Sequence, residues 1–361
     1  MNHFYTLKVA KIQKVTDEAV KITFEIPSSI QDKFKFKQGQ YLNLKFNFGE
    51  EEFRRSYSII DAPSENSQTL SILVKQMENG TISTYLNQNL KENDEVEVQQ
   101  PMGNFCTNYH ASNQKNYIGI AAGSGISPVL SNLKEALFQE PNAKVLLFFG
   151  NKNSQNILLK EELDALKEQF PERFQVTHVL SREPQEDALF EGRITTEKLG
   201  QLLDKNFEIK PEDSTFFICG PTEMIKSTSD FLKKERKVPA LQVLYEYFSA
   251  PDDEDNAEMS EEFKKIPNLE SFVTLIIDDD EYSIHLNSKK ESILDKALKE
   301  NLPVPFACKG GVCCTCKAQV MEGEVFMEKN FALTEDEVAR GFVLTCQCHP
   351  TTNIVMLNYD V

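Results

Sequence analysis

Cys308-Lys309-Gly310-Gly311-Val312-Cys313-Cys314-Thr315-Cys316, followed by Leu344-Thr345-Cys346, is the stretch from which this chain is read. The intervals are C-x4-C-x2-C with a distant fourth cysteine, the spacing of a plant-type [2Fe–2S] centre. Three thiolates on one tight loop face a single cluster only if the backbone wraps it closely. Gly310 and Gly311 are expected to permit that approach and its unusual dihedrals. Cys308, Cys313, Cys316 and Cys346 are therefore the expected metal ligands. Cys314 and Cys348 stand beside them, but choosing either one breaks the x4/x2 spacing or moves the fourth ligand, so both are read as bystanders. Residue type alone leaves a zinc site open, although zinc ligands more often come as two C-x2-C pairs, which this chain lacks.

Working outward, two strand-like runs (Phe272 to Ile277 and Tyr282 to Leu286) and a helix-like run (Ser292 to Glu300) precede the cysteine loop. They belong to a module over residues 269–361. Residues 251–268 open with Pro251 and are acidic and poor in apolar side chains, the composition of a linker and, over Asp252 to Glu262, of a flexible tether. Upstream, residues 111–250 alternate apolar strands (Tyr117 to Ala121, Val145 to Phe149, Phe174 to Leu180, Thr215 to Cys219) with amphipathic stretches such as Leu158 to Phe170 and Thr222 to Lys234. That alternation predicts a doubly wound parallel α/β sheet. Residues 1–110 show short β-rich runs, Leu7 to Val15, Val20 to Ile26, Tyr41 to Phe46, Tyr57 to Ile60, Leu70 to Lys75 and Glu95 to Val98, separated by turn signals, which predict a small antiparallel barrel. At 361 residues the chain exceeds a single core.

The net charge of −17 is unevenly placed: residues 251–361 carry 22 acidic against 10 basic side chains, a net of −12. Nucleic-acid and anionic-membrane binding are disfavoured on that ground, while an acidic face suits a basic patch on a protein partner. A merely solvated acidic surface fits equally well. No run approaches the ~18 apolar residues of a membrane span, and Met1 to Lys11 lacks a signal-peptide core. The expectation is a cytoplasmic protein with reduced thiols; six of its eight cysteines fall between Cys308 and Cys348.

Three further motifs carry chemistry. Gly123-Ser124-Gly125-Ile126-Ser127-Pro128 joins an apolar strand to a helical pattern, a turn that lets a pyrophosphate approach the backbone at a helix N-terminus. Pro128 suits the first helical turn, where its missing N–H costs little. Arg55-Ser56-Tyr57-Ser58 offers a guanidinium for a diphosphate and an aromatic face for a flavin ring. Gly80-Thr81-Ile82-Ser83 precedes a helix expected near Thr84, with free N–H groups for phosphate or with Ser83 as a plain N-cap.

In this order, with Cys219-Gly220-Pro221 and the cysteine set, these motifs resemble the ferredoxin–NADP reductase superfamily extended by a C-terminal plant-type ferredoxin domain, which implies an α+β, β-grasp-like fold for residues 269–361. Among its members the resemblance is strongest to the oxygenase reductases, in particular the reductase components of phenylacetyl-CoA ring epoxidases. It implies FAD on Arg55 to Ser58 and on Gly80 to Ser83, and a pyrophosphate on Gly123 to Pro128. It also implies a nicotinamide beside Cys219, Gly220 and Pro221, with Glu246 and Phe248 in the segment near the flavin ring. Electrons would pass from NADPH through FAD and the [2Fe–2S] cluster to a partner oxygenase. A fatty-acyl desaturase or another oxygenase could equally be the acceptor, and a non-catalytic redox sensor is the rival of another class. Ser181-Arg182, after the strand ending at Leu180, puts a hydroxyl and a guanidinium where an acidic residue would select NADH. Arg193 is an added cation, so NADPH is favoured and NADH is the alternative.

Overall fold

The computed structural model describes residues 3–65, 68–205, 210, 213–250 and 261–360. The first unit is one six-stranded antiparallel sheet in the order β4-β3-β6-β1-β2-β5. Its strands are β1 (Phe4–Thr16), β2 (Ala19–Glu25), β3 (Tyr41–Phe48), β4 (Glu51–Ser58), β5 (Thr69–Lys75) and β6 (Glu95–Gln99). An antiparallel bridge between Ile59 and Ile72 joins the two edges and closes the barrel. Alternate residues such as Leu7, Ile22, Phe24, Leu42, Leu44 and Val98 fill its interior, as the period of two requires. β4 begins six residues before the strand read at Tyr57. Its first half, Glu51-Glu52-Phe53-Arg54-Arg55, is charged because it pairs with β3 beyond the barrel core, so no apolar alternation marks it. Helix α1 (Thr81–Gln88) crosses after β5.

The second unit is a parallel sheet in the order β11-β10-β7-β8-β9. Its strands are β7 (Asn116–Ala122), β8 (Lys144–Asn151), β9 (Phe174–Leu180), β10 (Ser214–Cys219) and β11 (Val243–Glu246). Helices α2 (Ile126–Gln139) and α3 (Lys160–Gln169) cover one face, and α4 (Thr196–Lys205) and α5 (Thr222–Lys234) the other. Val145, Leu147 and Phe149 of β8 point to the first pair of helices, and Leu146 and Phe148 to the second. Strands buried on both faces read as continuous apolar runs for this reason.

The third unit is a mixed sheet in the order β13-β12-β18-β14-β16, with the parallel pair β12–β18 at its centre. It is built from β12 (Glu270–Ile277), β13 (Asp280–Asn287), α6 (Ile293–Lys299), β14 (Lys317–Glu322), β15 (Val325–Met327), α7 (Glu335–Ala339), β16 (Phe342–Leu344), β17 (Cys348–Pro350) and β18 (Ile354–Asn358). Ser292 caps α6 by accepting the N–H of Asp295, and Thr334 and Glu337 form a capping box on α7. Of the expected linker, residues 251–260 lie outside the described residues, and residues 261–265 are helical. Among the described residues no helix is long and apolar enough to cross a membrane.

Candidate active site

The strand ends of the parallel sheet, the β4 end of the barrel and the cysteine loop of the third unit enclose one cavity of about 1150 Å³. Arg55, Ser56, Tyr57 and Ser58 line it from the barrel, joined by Gly80, Thr81, Ile82 and Ser83 at the start of α1. Gly123, Ser124, Gly125 and Ser127 line it from the β7–α2 turn, and Ser181, Arg193, Gly220, Pro221, Glu246 and Phe248 from other strand ends and loops. Ala307, Cys308, Val312 and Cys313 complete the wall. Ile126, Pro128, Arg182 and Cys219 are not in the lining, nor are Cys316 and Cys346.

Local geometry explains several of these positions. Gly123 adopts φ +55° with open space around it, a backbone that L side chains rarely take. Gly125 serves packing: a Cβ there would lie 2.3 Å from the carbonyl oxygen of Cys219, so this glycine lets the turn rest on the end of β10. Pro128 falls in the first turn of α2. α1 starts at Thr81 rather than near Thr84, with Gly80 at its N-cap, so Ser83 is not the cap. Its hydroxyl instead accepts the N–H of Met77 at 3.0 Å and occupies the room left by the missing Gly80 side chain.

Glu246 ends β11, and its carboxylate meets the Ser58 hydroxyl, which donates to it at 3.4 Å. Burial pushes its carboxyl up to about 8, against which the Ser58 hydrogen bond acts only weakly. Beside it, Cys219 is fully buried and its thiol is pushed up by burial and then by Glu246. Phe248 and Tyr247 face the cavity, whereas Tyr245 is exposed under the ammonium of Lys233.

The four expected ligands fall into two pairs. The Cys308 and Cys313 sulfurs are 3.1 Å apart, and Cys316 and Cys346 form the second hydrogen-bonded pair. Cys313 and then the N–H groups of Gly310, Val312 and Cys313 bring the Cys308 thiol down to about 6. Cys346 is lowered by Cys316, by the Gln347 amide and by the N–H of Gly311. Thiolate is the ligating form, and two pairs of thiols suit two irons. Gly311 has φ +74°, but Gly310 has only ordinary contacts, so one glycine carries the special conformation. Cys348 turns into the core and donates to the Leu344 carbonyl, while Cys314 sits half-buried against Asn104.

Sequence reasoning missed the residues that seat the third unit on the barrel. Ser56 donates to Asn43 Oδ1 at 2.6 Å, and Asn43 Nδ2 donates to Thr315 Oγ1 at 3.0 Å. The Tyr41 hydroxyl lies 3.3 Å from the same oxygen and accepts the Cys314 N–H at 3.1 Å. A hydrogen-bonded chain therefore runs from Arg55-Ser56-Tyr57-Ser58 into the cysteine loop. Arg54 stacks its guanidinium 4.0 Å from the Phe306 ring centre, and Asn104 donates to Glu337 at 3.0 Å. The only sequence trace of this seat is polar residues on an otherwise apolar strand.

Comparison with known proteins agrees with this three-unit arrangement. The oxidoreductase FAD-binding domain matches residues 6–107, the oxidoreductase NAD-binding domain residues 120–230, and the 2Fe–2S iron–sulfur cluster binding domain residues 275–351. A component of the 1,2-phenylacetyl-CoA epoxidase of Escherichia coli (strain K12) is 38% identical over 365 residues, covering 100% of this chain and 99% of the relative. The chain belongs to the family of that epoxidase component. It is thus an oxidoreductase with FAD-binding, NAD-binding and [2Fe–2S] domains. Phthalate dioxygenase reductase shares the fold at 20% identity and a TM-score of 0.57, covering 98% of each chain. An intact type IV self-sufficient cytochrome P450 monooxygenase superposes with a TM-score of 0.70 at 18% identity; the match takes in 98% of this chain but 41% of that longer one.

Proposed function

We propose that this chain takes electrons from NADPH and delivers them, through FAD and a [2Fe–2S] cluster, to a partner oxygenase of the phenylacetyl-CoA epoxidase kind. The observation that carries the reading is the single cavity whose wall is shared by Arg55 to Ser58, by the Gly123 turn and by Cys308 and Cys313. FAD held there would supply two-electron chemistry toward a nicotinamide, and a [2Fe–2S] cluster would supply one-electron transfer. The chain supplies position and electrostatics. Arg55 would pair with the FAD diphosphate, Tyr57 would offer its face to the flavin, and the free N–H groups at the start of α1 would take further phosphate oxygens. The Gly123 turn holds the dinucleotide pyrophosphate, with Ser181 and Arg193 toward its ribose phosphate. Gly220, Pro221 and Phe248 shape the nicotinamide end, where Glu246 can hold or release a proton toward Ser58. Cys308, Cys313, Cys316 and Cys346 hold the cluster. Ala307 and Val312 close the wall between the cofactors against water. The same reading puts the protein in the cytoplasm, where iron-ligating thiols stay reduced.

The test is direct. The purified chain should carry FAD and two irons, and should reduce both ferricyanide and cytochrome c with NADPH. Cys313→Ser should lose the iron and lower the ratio of cytochrome c to ferricyanide reduction by roughly tenfold or more, a difference of about 1.4 kcal/mol in barrier. An unchanged ratio in an iron-free variant would remove the cluster from the electron path.

A further inference from the structure

Between barrel and parallel sheet, the cavity is bordered by a group of charges that no motif contains. Glu18, in the turn from β1 to β2, accepts from the Lys152 ammonium at 2.8 and 3.1 Å. Lys75, the last residue of β5, approaches the same carboxylate at 4.0 Å. Lys152 follows the end of β8, and its carbonyl accepts the Arg182 N–H at 2.7 Å, which sets Lys152 beside Ser181 and Arg182 at the end of β9. Glu18, Lys75, Lys152, Ser181 and Arg193 all line the cavity. Arg182 reaches this group through its field on Glu18 and Lys75 rather than through the lining. The backbone at Glu18 is fixed, because its carbonyl accepts the Gln76 N–H at 2.7 Å and its own N–H donates to Thr16 Oγ1 at 3.3 Å. One carboxylate thus faces several cations. The Lys75 ammonium is lowered by its burial and then by Lys152, with Glu18 acting the other way.

We propose that Glu18 is a placeholder for the 2′-phosphate of the dinucleotide: it holds Lys152 across the cleft, and the arriving phosphate dianion displaces it to take Lys152 and Ser181 as partners. The inference rests on the dinucleotide reading above and adds a specificity-determining pair to it. A dianion next to Lys152, Lys75 and Arg193 gains more than the single carboxylate it replaces. The residual repulsion from Glu18 weakens the 2′-phosphate selectively, because a dinucleotide lacking that group leaves the ion pair in place.

The experiment measures dissociation constants of 2′,5′-ADP and of 5′-AMP for the full chain with its cofactors, by calorimetry. Glu18→Gln should tighten 2′,5′-ADP by roughly threefold to fivefold, the scale of a partly exposed ion pair, and leave 5′-AMP within about twofold. Lys152→Gln should weaken 2′,5′-ADP, and in that background Glu18→Gln should bring a smaller gain, since only the repulsion from Glu18 is then removed. An unchanged or weakened 2′,5′-ADP affinity in Glu18→Gln, or equal shifts for both nucleotides, overturns the placeholder and leaves a structural ion pair. The two readings separate cleanly. If the unmodified chain binds both nucleotides alike and Glu18→Gln creates a preference, the NADPH assignment fails and the placeholder stands. If the unmodified chain prefers 2′,5′-ADP and the variant does not move, the placeholder fails alone.

Discussion

The barrel is joined to its two neighbours by seams of opposite character. Toward the parallel sheet the seam is charged and buried. Lys134 of α2, 2% exposed, meets Glu65 and Glu162 at 2.8 Å each, and Lys21 of the barrel meets Glu162 at 3.0 Å. Ser131 of α2 donates to the Asp61 carbonyl at 2.6 Å, and Ser64 gives both its N–H and its hydroxyl to Glu135 at 2.9 Å. Toward the iron–sulfur unit the seam is mostly neutral: Tyr41, Asn43, Thr315, Asn104 and the Arg54–Phe306 stack. A buried charge cannot be left without its partner, so the first seam resists opening; neutral hydrogen bonds exchange with water at small cost. The difference predicts that the barrel and parallel sheet open together and that the iron–sulfur unit is the first to come away.

The largest effect is expected where the charged seam is cut. Burial works against the Lys134 ammonium, but Glu162, Glu65 and Asp61 outweigh it and keep it charged. Lys134→Met would leave Glu162 with Lys21 alone and Glu65 without this partner, both partly open to solvent, at a cost of roughly 1.5–3 kcal/mol. Denaturant unfolding followed through FAD release should show that loss. A change under about 1 kcal/mol would mean that the seam is wetter than it looks and that the contrast with the neutral seam does not hold.

How much of this was legible in the sequence follows the same division. The cysteine set and the Gly123 turn were readable because they answer to local demands: a sulfur every few residues around a cluster, and a left-handed dihedral at one turn. The strands of the parallel sheet were readable because burial on both faces writes continuous apolar runs. The charged start of β4 hid that strand, since only its end faces the core. Sequence fixes the end of β9 but not which of its residues lines the cavity: Ser181 does, while Arg182 acts there through its field on Glu18 and Lys75. Both seams were invisible. Tyr41 to Thr315 spans 274 positions and Lys21 to Glu162 spans 141, and no local pattern records a contact at such range.

An intermediate effect belongs to Glu246, whose field reaches Tyr41 and Cys314 on the neutral seam. Its folded carboxyl titrates near 8, above the ordinary 4.5. Between those values the folded chain keeps a proton that the unfolded chain has lost. Stability is therefore fully present at low pH and falls as pH rises toward 8, with a slope of at most one proton, about 1.4 kcal/mol per pH unit. Glu246→Gln should flatten this decline between pH 5 and 8 in thermal melts. If the variant and the unmodified chain lose stability in parallel over that range, Glu246 is ionised in the folded protein and does not bias the seam.

The smallest effect tests the neutral seam by itself. Thr315 lies between Cys314 and Cys316, and its hydroxyl meets the Cys313 sulfur as well as the barrel, accepting from Asn43 and meeting Tyr41. Thr315→Val keeps the volume but leaves the buried Asn43 donor with one partner fewer, a cost on the order of 1 kcal/mol. The Cys314 N–H, which donates to Tyr41, reports the seat directly. If the unit lifts off as a body, exchange of that amide should speed up about fivefold in the variant, while amides in the core of β8 keep their protection. The seat should loosen without disturbing the charged seam, because the hydrogen-bond partners of Thr315, which include Asn43, Tyr41 and Met102, are not those of Lys134, which include Glu65, Glu162 and the Ile60 carbonyl. Faster exchange in β8 as well would show that the two seams open together, making the molecule one cooperative unit rather than a body and a carrier. Unchanged exchange at Cys314 would mean that the unit does not leave its seat on this timescale, so a partner oxygenase would have to meet the cluster while it stays docked.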